Sequence, residues 1–376
     1  MRERIRMRLG TGLLLMSWLG AFSCGDDGGS QAGVQRELAY PDPEWRVDAP
    51  EAHGLDAGLL EAAAIYAQEK ASDCLVITRH GAIVGEWYWN GWDAATEQNI
   101  YSVSKSVTNA LVGIAQDRGQ LDIRDAASAY IPEWAGTGSE EVTIRNLLSN
   151  DSGRYWDLMS DYGAMYLLAP DKTAYAIALG QQYEPGTYWE YNNAAIQSLE
   201  RVLEVATGMD CAAYAADNLF EPLGMVSAYG RDAAGNPLVF SDVSASCRDL
   251  ARFGYLYLRG GQWSQGRRIV SEDWVKESTE PSTVLNSSYG YLWWLNREGH
   301  WTTGSVPLRF EGDGKMMPGL PEEIFRASGA FDQIIFVDPA HEIVFTRLGG
   351  VRDLEQAIAS DLPEQLGERI RAAVLD

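Results

Sequence analysis

"NIYSVSKSVTNALVGIA", residues 99–115, decides the fold. It opens with polar residues and continues with apolar ones at helical spacing, so a helix starts near Ser102. Two readings of Ser102-Val103-Ser104-Lys105 are open. In one, serine is an ordinary N-cap and lysine a solvated side chain. In the other, serine and lysine three apart share a helix face, where the amine can take the hydroxyl proton. Free N–H groups at the helix start could then hold an oxyanion. S-x-x-K alone is a weak pattern and favours the cap.

The flanking sequence sets the context. "GLDAGLLEAAAIYAQEK" from Gly54 has helical periodicity, and "CLVITRHGAIVGEWYW" holds two β-rich runs, 74–78 and 82–89, around Arg79-His80-Gly81, which predicts a hairpin. From about 123 to 277 the chain reads as helices and loops, several ending at glycine. Strand character returns in "YGYLWWLNR" and "FRASGA", and in "QIIFVDPAHEIVFTRLGG", where Asp338-Pro339-Ala340-His341 is the turn. A final amphipathic helix is expected over 354–374. The fold class expected is α/β (α+β): an antiparallel sheet built from both chain ends, flanked by helices, with an all-α subdomain inserted at about 118–277.

Chemistry-bearing residues come in order. Tyr191-Asn192-Asn193 follows a Pro-Gly turn in "PGTYWEYNNAAIQSLE" and precedes a helical run. A tyrosine near a lysine can shuttle protons, and an asparagine two residues on can hold a carbonyl. Tyr88-Trp89-Asn90 has the same spacing, but lies in a strand before the serine, where packing is the better reading.

The segments "YSVSKSVTNALVGIA", "VTIRNLLSNDSG", "PGTYWEYNN", "DLARFGYLYLRGGQW" and "RASGAFDQIIFVDP" resemble, in this order, the serine β-lactamase and penicillin-binding-protein superfamily. They look closest to the class C β-lactamase-like serine hydrolases, and "SDYGAM", "WEYNNAAIQ" and "YGYLWW" look like the 6-aminohexanoate-oligomer hydrolases. The resemblance runs from about residue 50 to the C-terminus. It implies a β-lactamase/transpeptidase-like fold with Ser102 as nucleophile, Lys105 as base and Tyr191 as proton shuttle, Asn193 beside it. The third family motif falls on Ala327-Ser328-Gly329, and the backbone N–H groups of Ser102 and Ala330 would form the oxyanion hole. Thr302-Thr303-Gly304 competes for that motif from a loop-like stretch, whereas a strand pair directly follows Gly329. Tyr162 in "SDYG" resembles a substrate-contacting loop tyrosine of the 6-aminohexanoate-oligomer hydrolases, and a surface or packing tyrosine is at least as good a reading.

Alanine at 327 departs from the family's Lys or His, which engages a substrate carboxylate. An ester or uncharged amide is therefore the expected small-molecule substrate. The alternatives are a D-amino-acid peptidase acting on peptidoglycan fragments, a weak β-lactamase, or a non-catalytic envelope-binding module. No G-x-S-x-G elbow occurs, which sets an α/β-hydrolase aside.

The leader carries Arg2, Arg4, Arg6 and Arg8, then an apolar run to Phe22, and has the layout of an export signal over 1–23. Ser23-Cys24 followed by "GDDGGS" resembles a lipoprotein cleavage site, although Ala21 stands where leucine is usual. Cys24 is thus the expected lipidation site and membrane tether, 24–50 a linker, 51–376 the hydrolase domain, and the bacterial envelope or secretion the expected location. Cys74, Cys211 and Cys247 allow one disulfide in three pairings, with buried unpaired cysteines the safer reading. Scattered histidines give no metal motif, and no cofactor is expected. A net charge of −23 repels nucleic acid.

Overall fold

The computed structural model describes residues 39–375 except 265, 306, 307, 354, 355 and 357–359. The expected export signal, Cys24 and the start of the last expected helix lie outside the described residues. The chain divides into Met1–Glu37 and Leu38–Asp376, and the second unit is described here.

Its largest sheet has the order β1-β3-β2-β12-β11-β10-β7. The strands are β1 (Arg46–Val47), β2 (Ser72–Arg79), β3 (Ala82–Tyr88), β7 (Trp294–Leu295), β10 (Phe325–Gly329), β11 (Gln333–Asp338) and β12 (Ile343–Gly349). As expected, the two ends of the chain meet, through the antiparallel pair β2–β12. β2 and β3 form the predicted hairpin, turning at His80 and Gly81, both with positive φ.

Strand alternation divides the core. Leu75 and Ile77 of β2 face the helices α1 (Ala57–Glu69) and α10 (Leu362–Ala372), together with Phe336 and Phe345. Cys74 and Val76 face the other way, where α2 (Val103–Asp117), α5 (Asn193–Thr207) and α8 (Cys247–Leu258) share one core with Val337 and Val344. Both faces are covered, which is why these strands read as continuous apolar runs. Each fully buried Leu, Ile or Val side chain contributes about 1.5–3 kcal/mol.

Three expectations change. The linker expected to reach residue 50 ends earlier, because Tyr40 and Trp45 pack edge-on against Tyr255 and the carbonyls of Pro41 and Pro43 accept from Arg252. Its prolines and acidic residues read as tether, yet the aromatics between them bury. α8, within the expected helical region of 118–277, packs on the sheet instead: a Cβ at Gly254 would lie 2.6 Å from Val344. Last, Cys74 and Cys247 form a disulfide and Cys211 stays free and buried.

The inserted region contains α3 (Ile144–Ser149), a π-helical segment Met159–Leu168, α4 (Lys172–Ala178), α5, α6 (Cys211–Ala215) and α7 (Glu221–Leu223). The short strands β4 (Gln98–Asn99), β6 (Val243–Ala245) and β5 (Ala228–Tyr229) form a second sheet at the entrance to α2. α9 (Glu272–Ser278) supports α2, with Trp274 filling the space a Cβ would take at Gly113. β8 (His300–Ser305) and β9 (Arg309–Asp313) form a separate hairpin.

Candidate active site

The chain leaves β4 through a tight turn. Ile100 donates its N–H to the Val243 carbonyl (2.9 Å), and Tyr101, at φ 48°, donates to Asn99 Oδ1 (2.7 Å). A tyrosine held in left-handed backbone carries strain of about 1–3 kcal/mol, met here by the surrounding hydrogen bonds. Ser102 stands at the N-cap, already in helical backbone, and its side chain makes no capping hydrogen bond. Its Oγ instead receives Lys105 Nζ at 2.8 Å. The serine side chain is thus not a helix cap, and the lysine is not a solvated side chain.

Lys105 is 1% exposed, donates also to the Phe240 carbonyl (2.7 Å), and sits 4.8 Å over the Tyr191 ring. Burial brings its pKa down to about 7, with Asp161 acting in the opposite direction. A large share of the amine is therefore neutral at pH 7 and able to accept a proton.

Tyr191 lies between the Gly186 turn and α5. Its ring stacks on Trp294 (5.8 Å, 21°) and meets Tyr289 edge-on (6.3 Å). Burial raises its pKa above the ordinary tyrosine value, and a hydrogen bond with Ser102 opposes the rise. Ser102, Lys105 and Tyr191 thus converge. The rival Tyr88 points elsewhere, its hydroxyl donating to Glu86 (2.7 Å), and Asn90 is tied to Asp73.

β10 forms the opposite wall. β7 pairs with Phe325 and Arg326, so that edge of β10 has no strand partner among the described residues from Ala327 to Gly329. A Cβ at Gly329 would lie 2.3 Å from the Ile100 carbonyl oxygen and 3.2 Å from the Ser102 nitrogen. Only glycine lets the strand come this close to Ser102. Ala330 follows, and the chain turns back through Phe331 and Asp332, both with positive φ, Phe331 packing edge-on against Tyr101 (5.3 Å). Ala327 is buried, and Ser328 Oγ is buried without a hydrogen-bond partner among the described residues. Arg326 lies against the Met316 and Met317 sulfurs (3.3 and 3.7 Å).

Asn193 makes contacts that its motif did not foretell. Its amide donates to Asp161 Oδ2 (3.0 Å) and its side chain hydrogen-bonds Tyr162, linking the π-helical segment to α5. Tyr162 is half-buried there, its phenol pKa raised by burial. Sequence reasoning passed over Asp161 beside it in "SDYG", and Glu190 beside Tyr191. Glu190 accepts from Ser305 N–H (2.8 Å), Ser305 Oγ (3.0 Å) and Arg309 (3.2 Å), which fastens the β8–β9 hairpin to the tyrosine. Thr302-Thr303-Gly304 therefore lies in a strand rather than a loop, and a Cβ at Gly304 would be 2.6 Å from Tyr191 Cβ.

The family model described as Beta-lactamase matches residues 60–349. A 6-aminohexanoate-dimer hydrolase of Paenarthrobacter ureafaciens is 26% identical over 257 residues, 60% of this chain and 65% of the relative. A D-aminopeptidase of Brucella anthropi is 27% identical over 165 residues, 40% of this chain and 31% of the relative. The chain thus spans less than two thirds of each of these relatives. Among solved structures, a family VIII carboxylesterase superposes with a TM-score of 0.64 at 18% identity, covering 87% of this chain and 98% of its own. A penicillin-binding protein homologue from Caulobacter crescentus gives 0.64 at 15%, covering 85% and 99%. With its fold and the matched family model in agreement, the chain belongs to the β-lactamase family.

Proposed function

We propose that the protein cleaves carboxylic esters or uncharged amides through an acyl-serine intermediate. The observation that carries this reading is the buried Lys105 amine 2.8 Å from Ser102 Oγ. Ser102 Oγ attacks the substrate carbonyl carbon while Lys105 takes the hydroxyl proton. The oxyanion accepts hydrogen bonds from the N–H groups of Ser102 and Ala330. The intermediate collapses, and the alcohol or amine leaves with a proton passed from Lys105 through Tyr191. Water then attacks the acyl carbonyl carbon, its proton passing through Tyr191 to Lys105; the bond to Ser102 Oγ breaks, that oxygen regains the proton from Lys105, and the acid leaves.

Asn193, Ser328, Gly329 and Tyr162 line the substrate path in this reading. Alanine at 327 leaves no cation there for a substrate carboxylate, which favours a neutral group at that end. An envelope protein anchored through Cys24 is the matching location, supported by the leader sequence and by the Cys74–Cys247 disulfide, a bond of oxidising compartments.

The test is labelling of the full chain with a fluorophosphonate, followed by peptide mapping, and turnover of p-nitrophenyl esters, 6-aminohexanoate oligomers, D-alanyl peptides and a chromogenic cephalosporin. Ser102 is expected to carry the label, Ser102→Ala to abolish turnover, and the neutral esters or amides to be cleaved fastest. An unlabelled Ser102 would sink the reading. Faster release of amine from D-alanyl peptides would move the substrate to that of the D-aminopeptidase relative.

A further inference from the structure

Beyond the three converging groups, the charge that acts on Lys105 comes from Asp161. Asp161 is 1% exposed and both its oxygens are occupied. Oδ1 accepts from Ala194 N–H (2.9 Å); Oδ2 accepts from Asn193 N–H (3.3 Å), Asn193 Nδ2 (3.0 Å) and Trp156 Nε1 (3.1 Å). Asn193 and Ala194 are the first residues of α5, whose own N-cap, Asn192, holds only Ala195 N–H (2.8 Å). The remaining free N–H groups at this helix start are taken by a side chain from another segment. A helix N-terminus favours such a charge, and four donors favour its ionised form. α5 begins two residues after Tyr191, so whatever holds its first turn also fixes the tyrosine.

We propose that Asp161 is a positioning residue for the reaction: it clamps the helix that follows Tyr191 and holds a buried negative charge against Lys105. The proposal rests on Ser102 and Lys105 acting as nucleophile and base. Burial raises the Asp161 pKa to about 6, against its hydrogen bonds and Lys105, while Lys105 titrates at about 7. Each group favours the charged form of the other, so the two titrate as a pair. A negative neighbour favours the ammonium, so removing it lets the amine form at lower pH. Among the described residues, the phenol of Tyr191 lies under the Lys105 amine and that of Tyr162 beside Asp161, with Tyr166 reaching the same region against Phe240. Glu190 is turned to Ser305 and Arg309, and Asp242 to Asn99.

The experiment follows the rate of Ser102 phosphonylation by a fluorophosphonate between pH 5 and 9, in the full chain and its variants. The wild-type rate is expected to rise through about pH 7. In Asp161→Asn the rising limb should move down by about one pH unit, and in Asp161→Glu it should stay near the wild-type position. A purely structural role would lower the plateau without moving the limb. Should Asp161→Asn fail to fold, Trp156→Phe removes one donor to the carboxylate, makes it ionise at higher pH, and should move the limb in the same sense. A limb unmoved in the folded variant overturns the proposal. A wild type that takes no label would instead count against the serine-hydrolase reading itself.

Discussion

At the residue scale, position 329 makes the sharpest demand on side-chain identity. A Cβ there would meet the Ile100 carbonyl oxygen at 2.3 Å, and that atom is backbone, which cannot swing aside. Gly329→Ala must push β10 away from the turn that carries Ser102, separating the two N–H groups proposed for the oxyanion. Loss of one such donor costs about 10²–10³ in kcat. The expected outcome is a folded variant with kcat on the best ester down by about 10²-fold or more and KM little changed. Unchanged kcat would mean that this approach has no part in the chemistry. The residues themselves were partly legible. Ser102, Lys105 and Tyr191 stood out by order and spacing, whereas Asp161 did not. A lone aspartate in a polar stretch carries no pattern, and its partners come from α5 and Trp156, brought to it only by folding.

At the element scale, the long periodic helices and the strand pairs around β2–β3 and β11–β12 were readable because their apolar residues repeat with the element's own period. Two short elements at the site were not. The segment Met159–Leu168 winds as a π-helix, which leaves no distinct sequence period. The β8–β9 hairpin reads as loop because its residues are polar and Gly-rich; it is held by Glu190 from outside. Gly304, at φ 81°, lies directly against Tyr191, so the hairpin acts as a backstop for that ring. Gly304→Ala puts a methyl 2.6 Å from Tyr191 Cβ in a backbone region that alanine disfavours. It should slow turnover at least about tenfold, with Arg309→Ala, which loosens the latch without filling space, giving a smaller loss in the same direction. Steady-state kinetics on one ester check both. An alanine at 304 that leaves kcat intact would remove the hairpin from the account.

At the scale of the whole molecule, the sheet, the inserted helices and α8 depend on one another, and the disulfide shows where. Cys74 on β2 and Cys247 at the start of α8 are 173 residues apart, with α2 and the inserted helices α3 to α7 inside the loop they close. The sequence left three pairings open because distance along the chain does not reveal that α8 crosses the sheet over β2. Gly254 makes that crossing possible, close to Val344 and Ile335. In the chain-entropy picture, closing a loop of this length stabilises the folded state by about 5 kcal/mol. The bond is buried, so a mild reductant should leave the native protein oxidised, while reduction in denaturant followed by refolding should yield a less stable form. Cys74→Ala with Cys247→Ala is expected to lower Tm by about 7 °C, with the Ser102 labelling rate retained at 20 °C, because neither sulfur touches Ser102, Lys105 or Tyr191. Differential scanning calorimetry of the oxidised wild type against this double variant makes the comparison. Equal Tm values would mean that β2 and α8 are held by packing alone.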